Sequence, residues 1–183
     1  MRKHLAPAAL AATLLALVIA LAGCSSGPSD ADIIRQGVSE ELESIKSGDD
    51  DLIAQVEEGA GEDLEMLGLD TKEFMAAYLK GFDYKVGDVN VDGDSATVHV
   101  SITCRSMDGI EEDFKSAFAE ALANVEDPSD TDSLYKIAGQ AFLDSVNNAE
   151  LKTVECDIPC EKDSDGNWSY ADGVSEQIGM AIN

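Results

Sequence analysis

From Ala96 to Cys104 the chain alternates without a break. Ala96, Val98, Val100, Ile102 and Cys104 are apolar, and Thr97, His99, Ser101 and Thr103 are polar. Successive side chains of a strand point to opposite faces, so this run predicts a strand with one face on a core and one in water. The pattern returns at Val154, Cys156, Ile158 and Cys160, set against Thr153, Glu155 and Asp157.

Each run has a turn beside it. Asp92-Gly93 is a strong hairpin signal, since a type I′ turn needs positive φ at both central residues. Pairing outward from it sets Val91 opposite Asp94 and Val89 opposite Ala96, and a bulge at Gly87 is then needed to return Val86 and Tyr84 to the inner face. Ser164-Asp165-Gly166 reads as a three-residue loop with Gly166 in the αL position, which places Trp168 opposite Lys162 and Tyr170 opposite Cys160.

The remainder has helical spacing. Ser29 or Asp30 caps a first helix carrying Ile34, Val38, Leu42 and Ile45 and stopped by Gly48. Asp49 to Asp51 open a second, with Leu52, Ile53 and Val56, that ends at Gly59. Asp70 with Glu73 forms a capping-box pattern ahead of Phe74, Met75, Tyr78 and Leu79. Asp108 with Glu111 repeats that pattern before Phe114, Phe118, Leu122 and Val125, in a helix read as ending at Pro128. A further helix from Asp130–Asp132 buries Leu134, Ile137, Ala141, Phe142 and Val146, and a last one spans 172–182. The expected architecture is α+β, with helices packed on a curved antiparallel sheet of about four strands arranged as two β-hairpins.

Residues 1–23 carry a different instruction. Arg2 and Lys3 precede an uncharged apolar run that ends on small residues before Cys24, the order of a secretory signal, and the run is too short and too broken by Pro7 to span a bilayer. The Leu21-Ala22-Gly23-Cys24 ending resembles the lipobox of bacterial lipoproteins. That resemblance implies cleavage before Cys24, a diacylglyceryl thioether on its sulfur, and further acylation of the new amino terminus. Two or three chains anchor stably where one is marginal. The expected organisation is a signal peptide over 1–23, a tether over 24–29 with lipidated Cys24, and a single α+β domain over 30–183, on the extracytoplasmic face of the cell membrane.

Charge limits the partners. Losing Arg2 and Lys3 leaves 10 cations against 37 acids, a net charge of −27 on the mature chain. Such a field repels nucleic acids, whose binding needs cations against phosphates, and the anionic surface of membranes. It favours solubility and can steer basic peptides or divalent cations.

The helical first half, the hairpin Val-Asn-Val-Asp-Gly-Asp-Ser-Ala-Thr-Val-His-Val, the helical insertion and the terminal Asp-Gly-Asn-Trp-Ser-Tyr resemble bacterial lipoproteins of nuclear-transport-factor-2-like, or cystatin-like, shape over residues 30–183. The resemblance implies a curved sheet wrapping helices around a conical pocket, a shape shared by enzymes and binding modules.

No catalytic set emerges. The inward strand positions lack an acid or base, and His99, the one histidine outside the leader, points outward by alternation and lacks an evident partner. A binding or interaction module for a protein, peptide or small-molecule ligand is therefore the first reading, and an enzyme using a pocket in the cone is the alternative. Glu161, Asp163, Asp165, Gly166, Asn167, Ser169 and Asp172 also match positions 1, 3, 5, 6, 7, 9 and 12 of a calcium loop, although their flanks read as strands. Calcium is the only cofactor the sequence suggests. Tyr78, Tyr84, Tyr135 and Tyr170 are candidates to line a pocket. Beyond Cys24 three cysteines remain, and the reading favours a disulfide between Cys104 and Cys156, with Cys160 reduced and buried against Tyr170.

Overall fold

The computed structural model describes residues 18–19, 27–125 and 130–174. The order is β1 (Val18–Ile19), α1 (Asp30–Ser47), α2 (Asp50–Met66), α3 (Thr71–Tyr78), β2 (Asp83–Asp92), β3 (Ser95–Arg105), α4 (Met107–Ala123), α5 (Thr131–Asn148), β4 (Leu151–Lys162) and β5 (Trp168–Tyr170). β2 to β5 form the expected open, curved antiparallel sheet in the order β5-β4-β3-β2, and the two residues of β1 add to its β5 edge. The expected helix over 172–182 falls almost wholly outside the described residues.

Local chemistry sets the helix ends. Ser29 caps α1: its hydroxyl accepts from Asp32 N at 3.2 Å while its own N–H donates to the Asp32 carboxylate, a reciprocal capping box. Gly48 closes the helix at φ 60°, where a side chain would be strained. Asp49, Asp70 and Asp130 cap α2, α3 and α5 in the same way, each accepting an N–H three residues on. Three boundaries differ from the sequence reading. α2 runs through Gly59 and Gly61 to Met66, because its buried Leu52, Val56 and Leu64 share one face and outweigh the helix cost of two glycines. α4 starts at the Ser106 cap, ahead of the Asp108–Glu111 pattern, and ends at Ala123, which leaves Val125 outside it and Pro128 beyond its end.

The sheet buries the predicted face. Ala96, Val98, Val100, Ile102 and Cys104 are all buried, and α1 lays Ile34, Val38 and Leu42 across them together with Ile158, Cys160 and Trp168. The bulge lies where expected: Gly87 and Asp88 oppose His99 between the pairs Val86–Val100 and Val89–Val98. Trp168 pairs with Lys162 and Tyr170 with Cys160, as read from the turn. The first hairpin differs by one residue. Asp92 pairs with Ser95, so Gly93-Asp94 makes the turn, with Gly93 at φ 62° and no positive φ at a non-glycine residue, which excludes the type I′ form.

A second cluster joins α2, α3, α5 and the start of α4 through Leu52, Val56, Leu64, Phe74, Met75, Val146 and Ile110. An aromatic ladder extends it, with Tyr78, Phe74, Phe142, Phe114 and Phe118 centred 5.6–6.0 Å from their neighbours. α4 is more exposed than its spacing implied. Only Ile110 is buried, and Leu122 is 40% exposed, because α4 packs chiefly on α5.

At Gly139, α5 passes tightly against the end of α2. A Cβ there would lie 2.0 Å from the Leu67 carbonyl oxygen. Gly139→Ala should lower stability by about 2–4 kcal/mol despite the better helix propensity of alanine, read as a lower urea midpoint at unchanged slope. An unchanged midpoint would mean that α5 does not pack this tightly on the α2–α3 corner.

Candidate functional site

α1 and α2 meet at Gly48, and the acids that terminate one and begin the other line a cleft of about 210 Å³ with Ser44, Ile45, Leu52 and Gln55. Those acids are Glu41, Asp49 and Asp51. Burial first, and then the nearby Asp49 charge, pushes the Glu41 carboxyl above its usual range. Asp49 is held low by the Ser44 hydroxyl and then by the Leu52 N–H, which it accepts at 2.8 Å as the helix cap. Chemically the cleft suits a cationic or hydrogen-bond-donating ligand.

His99 stands on the opposite, solvent face of the sheet, as its alternation predicts. The sequence suggested no partner for it, but the β3–β4 register supplies two. Nδ1 lies 2.9 Å from Asp157 and Nε2 lies 3.1 Å from Glu155. Carboxylates on both sides favour the doubly protonated ring, which can donate to Asp157 through Nδ1 while Nε2 faces Glu155. The Asp157 hydrogen bond raises its pKa, opposed by modest desolvation and reinforced by both carboxylate charges. Gly87 of the bulge makes room for the clasp, since a Cβ there would sit 3.1 Å from His99 O and 3.6 Å from the ring.

The expected Cys104–Cys156 bridge is not formed; Cys104, Cys156 and Cys160 are free thiols. The register explains the correction. Cys104 pairs with Lys152 and Cys156 with Val100, so the two sulfurs are offset by four residues, roughly 13 Å along the strands. Cys160 is buried opposite Tyr170, as read from the turn. Burial drives all three thiols up, Cys160 to about 11, which leaves them inert at neutral pH.

The candidate calcium residues lie on a hairpin. Glu161 is in β4, and Asp163 accepts the N–H groups of Asp165 and Asn167 and the Asn167 side-chain amide at 2.8–3.1 Å, which spends its carboxylate on the turn. Asp172 follows β5. Among the described residues no three His, Cys, Asp or Glu side chains are arranged to hold a metal ion. The tyrosines disperse. Tyr78 is buried in the helical cluster with its hydroxyl pushed up to about 12 by burial, Tyr84 reaches Ser39 O and Glu43, Tyr170 faces the sheet core, and Tyr135 is exposed. None lines the acidic cleft. Leu21-Ala22-Gly23-Cys24, the stretch expected to carry the lipid, lies outside the described residues, and among those described no helix is long and apolar enough to cross a membrane.

Two outcomes test this geometry. Without reductant, iodoacetamide should alkylate Cys104, Cys156 and Cys160 fully once the chain is unfolded; a mass short by two hydrogens and two adducts would show a disulfide. Because the folded pKa of His99 is raised, its clasp stabilises fully below the unfolded value of about 6.5 and is lost as pH rises through the folded value. The melting-temperature gap between wild type and His99→Asn should therefore be widest in mild acid and narrow as pH rises through the folded value, whereas a gap independent of pH would show that the ring packs without titrating.

No protein-family model matches the chain, and no curated protein does. Among solved structures, the chain is similar to the crystal structure of a candidate lipoprotein (ycdA) of Bacillus subtilis, at 15% identity and a TM-score of 0.41. The match covers 79% of this chain, which spans 45% of that one.

Proposed function

We propose that this protein is an extracytoplasmic bacterial lipoprotein, anchored through lipid on Cys24, whose domain is a binding or interaction module of cystatin-like shape. The observation that carries the reading is the Leu21-Ala22-Gly23-Cys24 ending, followed after only a short tether by the Ser29 capping box at which the folded domain begins. α1 lying across an antiparallel sheet supports the shape. The double engagement of His99, the raised thiols and the ligand-poor turn leave the acidic α1–α2 cleft as the feature best suited to a partner, and its chemistry favours a cationic one.

Processing has a structural consequence under this reading. Cleavage before Cys24 removes β1 and leaves β5, with the part of β4 that β5 does not pair, on that side of the sheet.

Metabolic labelling with a fatty-acid analogue tests the anchor. Wild type should incorporate label and fractionate with membranes, and Cys24→Ser should do neither. Label retained by Cys24→Ser would overturn the reading.

A further inference from the structure

We infer that the anchor holds the domain upright by one end of the sheet, so that the two hairpin turns face the bilayer and the acidic cleft faces the aqueous space beyond. The inference rests on the lipidation of Cys24 proposed above, but its geometry is independent of that chemistry.

The chain enters the fold at a clamped position. Asp30, the first residue of α1, receives the Lys162 ammonium at 2.9 Å, and Lys162 also lies 5.3 Å over the Trp168 ring. Lys162, then the Trp168 indole, hold the Asp30 carboxyl below its usual range. The indole N–H is near enough to contribute but lacks the distance and angle of a full hydrogen bond. Lys162 N also donates to Asp94 O at 2.8 Å, which brings the Gly93-Asp94 turn beside the Asp163–Asn167 loop. Both turns and the start of α1 therefore share one pole.

α1 leaves that pole and runs its 18 residues, roughly 27 Å, to the other. There Lys46 meets Asp83, the first residue of β2, at 2.8 Å. The length of β4, from Lys162 back to Leu151, gives an independent separation of roughly 37 Å. The cleft residues Asp49 and Asp51 follow immediately after α1 and belong to this far pole. The six residues of the tether reach at most about 20 Å, too little to carry the anchored pole away from the bilayer. Acids lie on the turn pole too, at Asp92, Asp94, Asp163 and Asp165, so the point where the tether joins the fold, rather than charge, sets which pole stays next to the bilayer. The cleft is thus offered to a water-borne partner rather than to lipid.

Energy transfer to the membrane surface tests the orientation. Asp165→Cys and Lys80→Cys each place one exposed thiol, the first on the turn pole and the second next to the start of β2. The native thiols are sheltered and raised, so a maleimide dye reaches the new cysteine first. In mixed phosphatidylcholine and phosphatidylglycerol vesicles carrying an acceptor on the headgroup, the purified lipoprotein should transfer several-fold more strongly from position 165 than from position 80. Equal or reversed transfer from protein whose intact mass includes the acyl groups would overturn the orientation and leave the anchor standing. An intact mass without acyl groups would overturn both. Because both sites are exposed, neither substitution disturbs the core.

Discussion

A buried guanidinium joins the halves of this fold. Arg105, at the end of β3, is 6% exposed, and it donates from Nε to Ala77 O at 3.0 Å and from a terminal nitrogen to Ala149 O at 2.7 Å. Those carbonyls lie at the C-terminal ends of α3 and α5, where helix carbonyls lack partners and the helix dipole is negative. One cation therefore satisfies acceptors from two helices and ties both to the sheet. Among the described residues it forms no ion pair with a carboxylate, although acids outnumber cations threefold in the chain. Its charge is compensated by oriented peptide dipoles, and removing it would strand the Ala149 carbonyl and leave Ala77 O with only the long bond from Lys80 N at 3.4 Å.

Around that junction the core divides in two. The sheet and α1 form one cluster, and α2, α3, α5 and the start of α4 form the other, with Ile45 touching both. The acidic cleft forms where α1 hands over to α2, between the two clusters. Its acids are there because helix starts select them: Asp49 is a cap and Asp51 lies in the first turn. Glu41, half-buried within α1, has no such local reason, and burial raises its carboxyl.

Much of this was legible where the determining interactions are local. Ser29, Gly48, Asp70 and Asp130 announce their helix ends, the bulge at Gly87 follows from keeping Tyr84 and Val86 inward, and the Gly166 loop sets the Lys162–Trp168 register. The misses have a common cause. α2 continues through Gly59 because of what its far end packs against, and α4 is half-exposed because only α5 covers it. The cysteine pairing failed on the β3–β4 register, which joins strands separated by two helices and which no turn residue specifies.

By itself the sequence determined the faces of the strands, the caps of the helices and the acidic field, since each depends on residues a few positions apart or on composition. Tertiary structure decided which faces meet. It placed Asp157 and Glu155 on either side of His99, spread the three thiols along the sheet, and brought Lys162 to Asp30 across 132 residues of chain. Such contacts are selected by packing two clusters around one sheet, and their energies are summed only when the chain closes on itself.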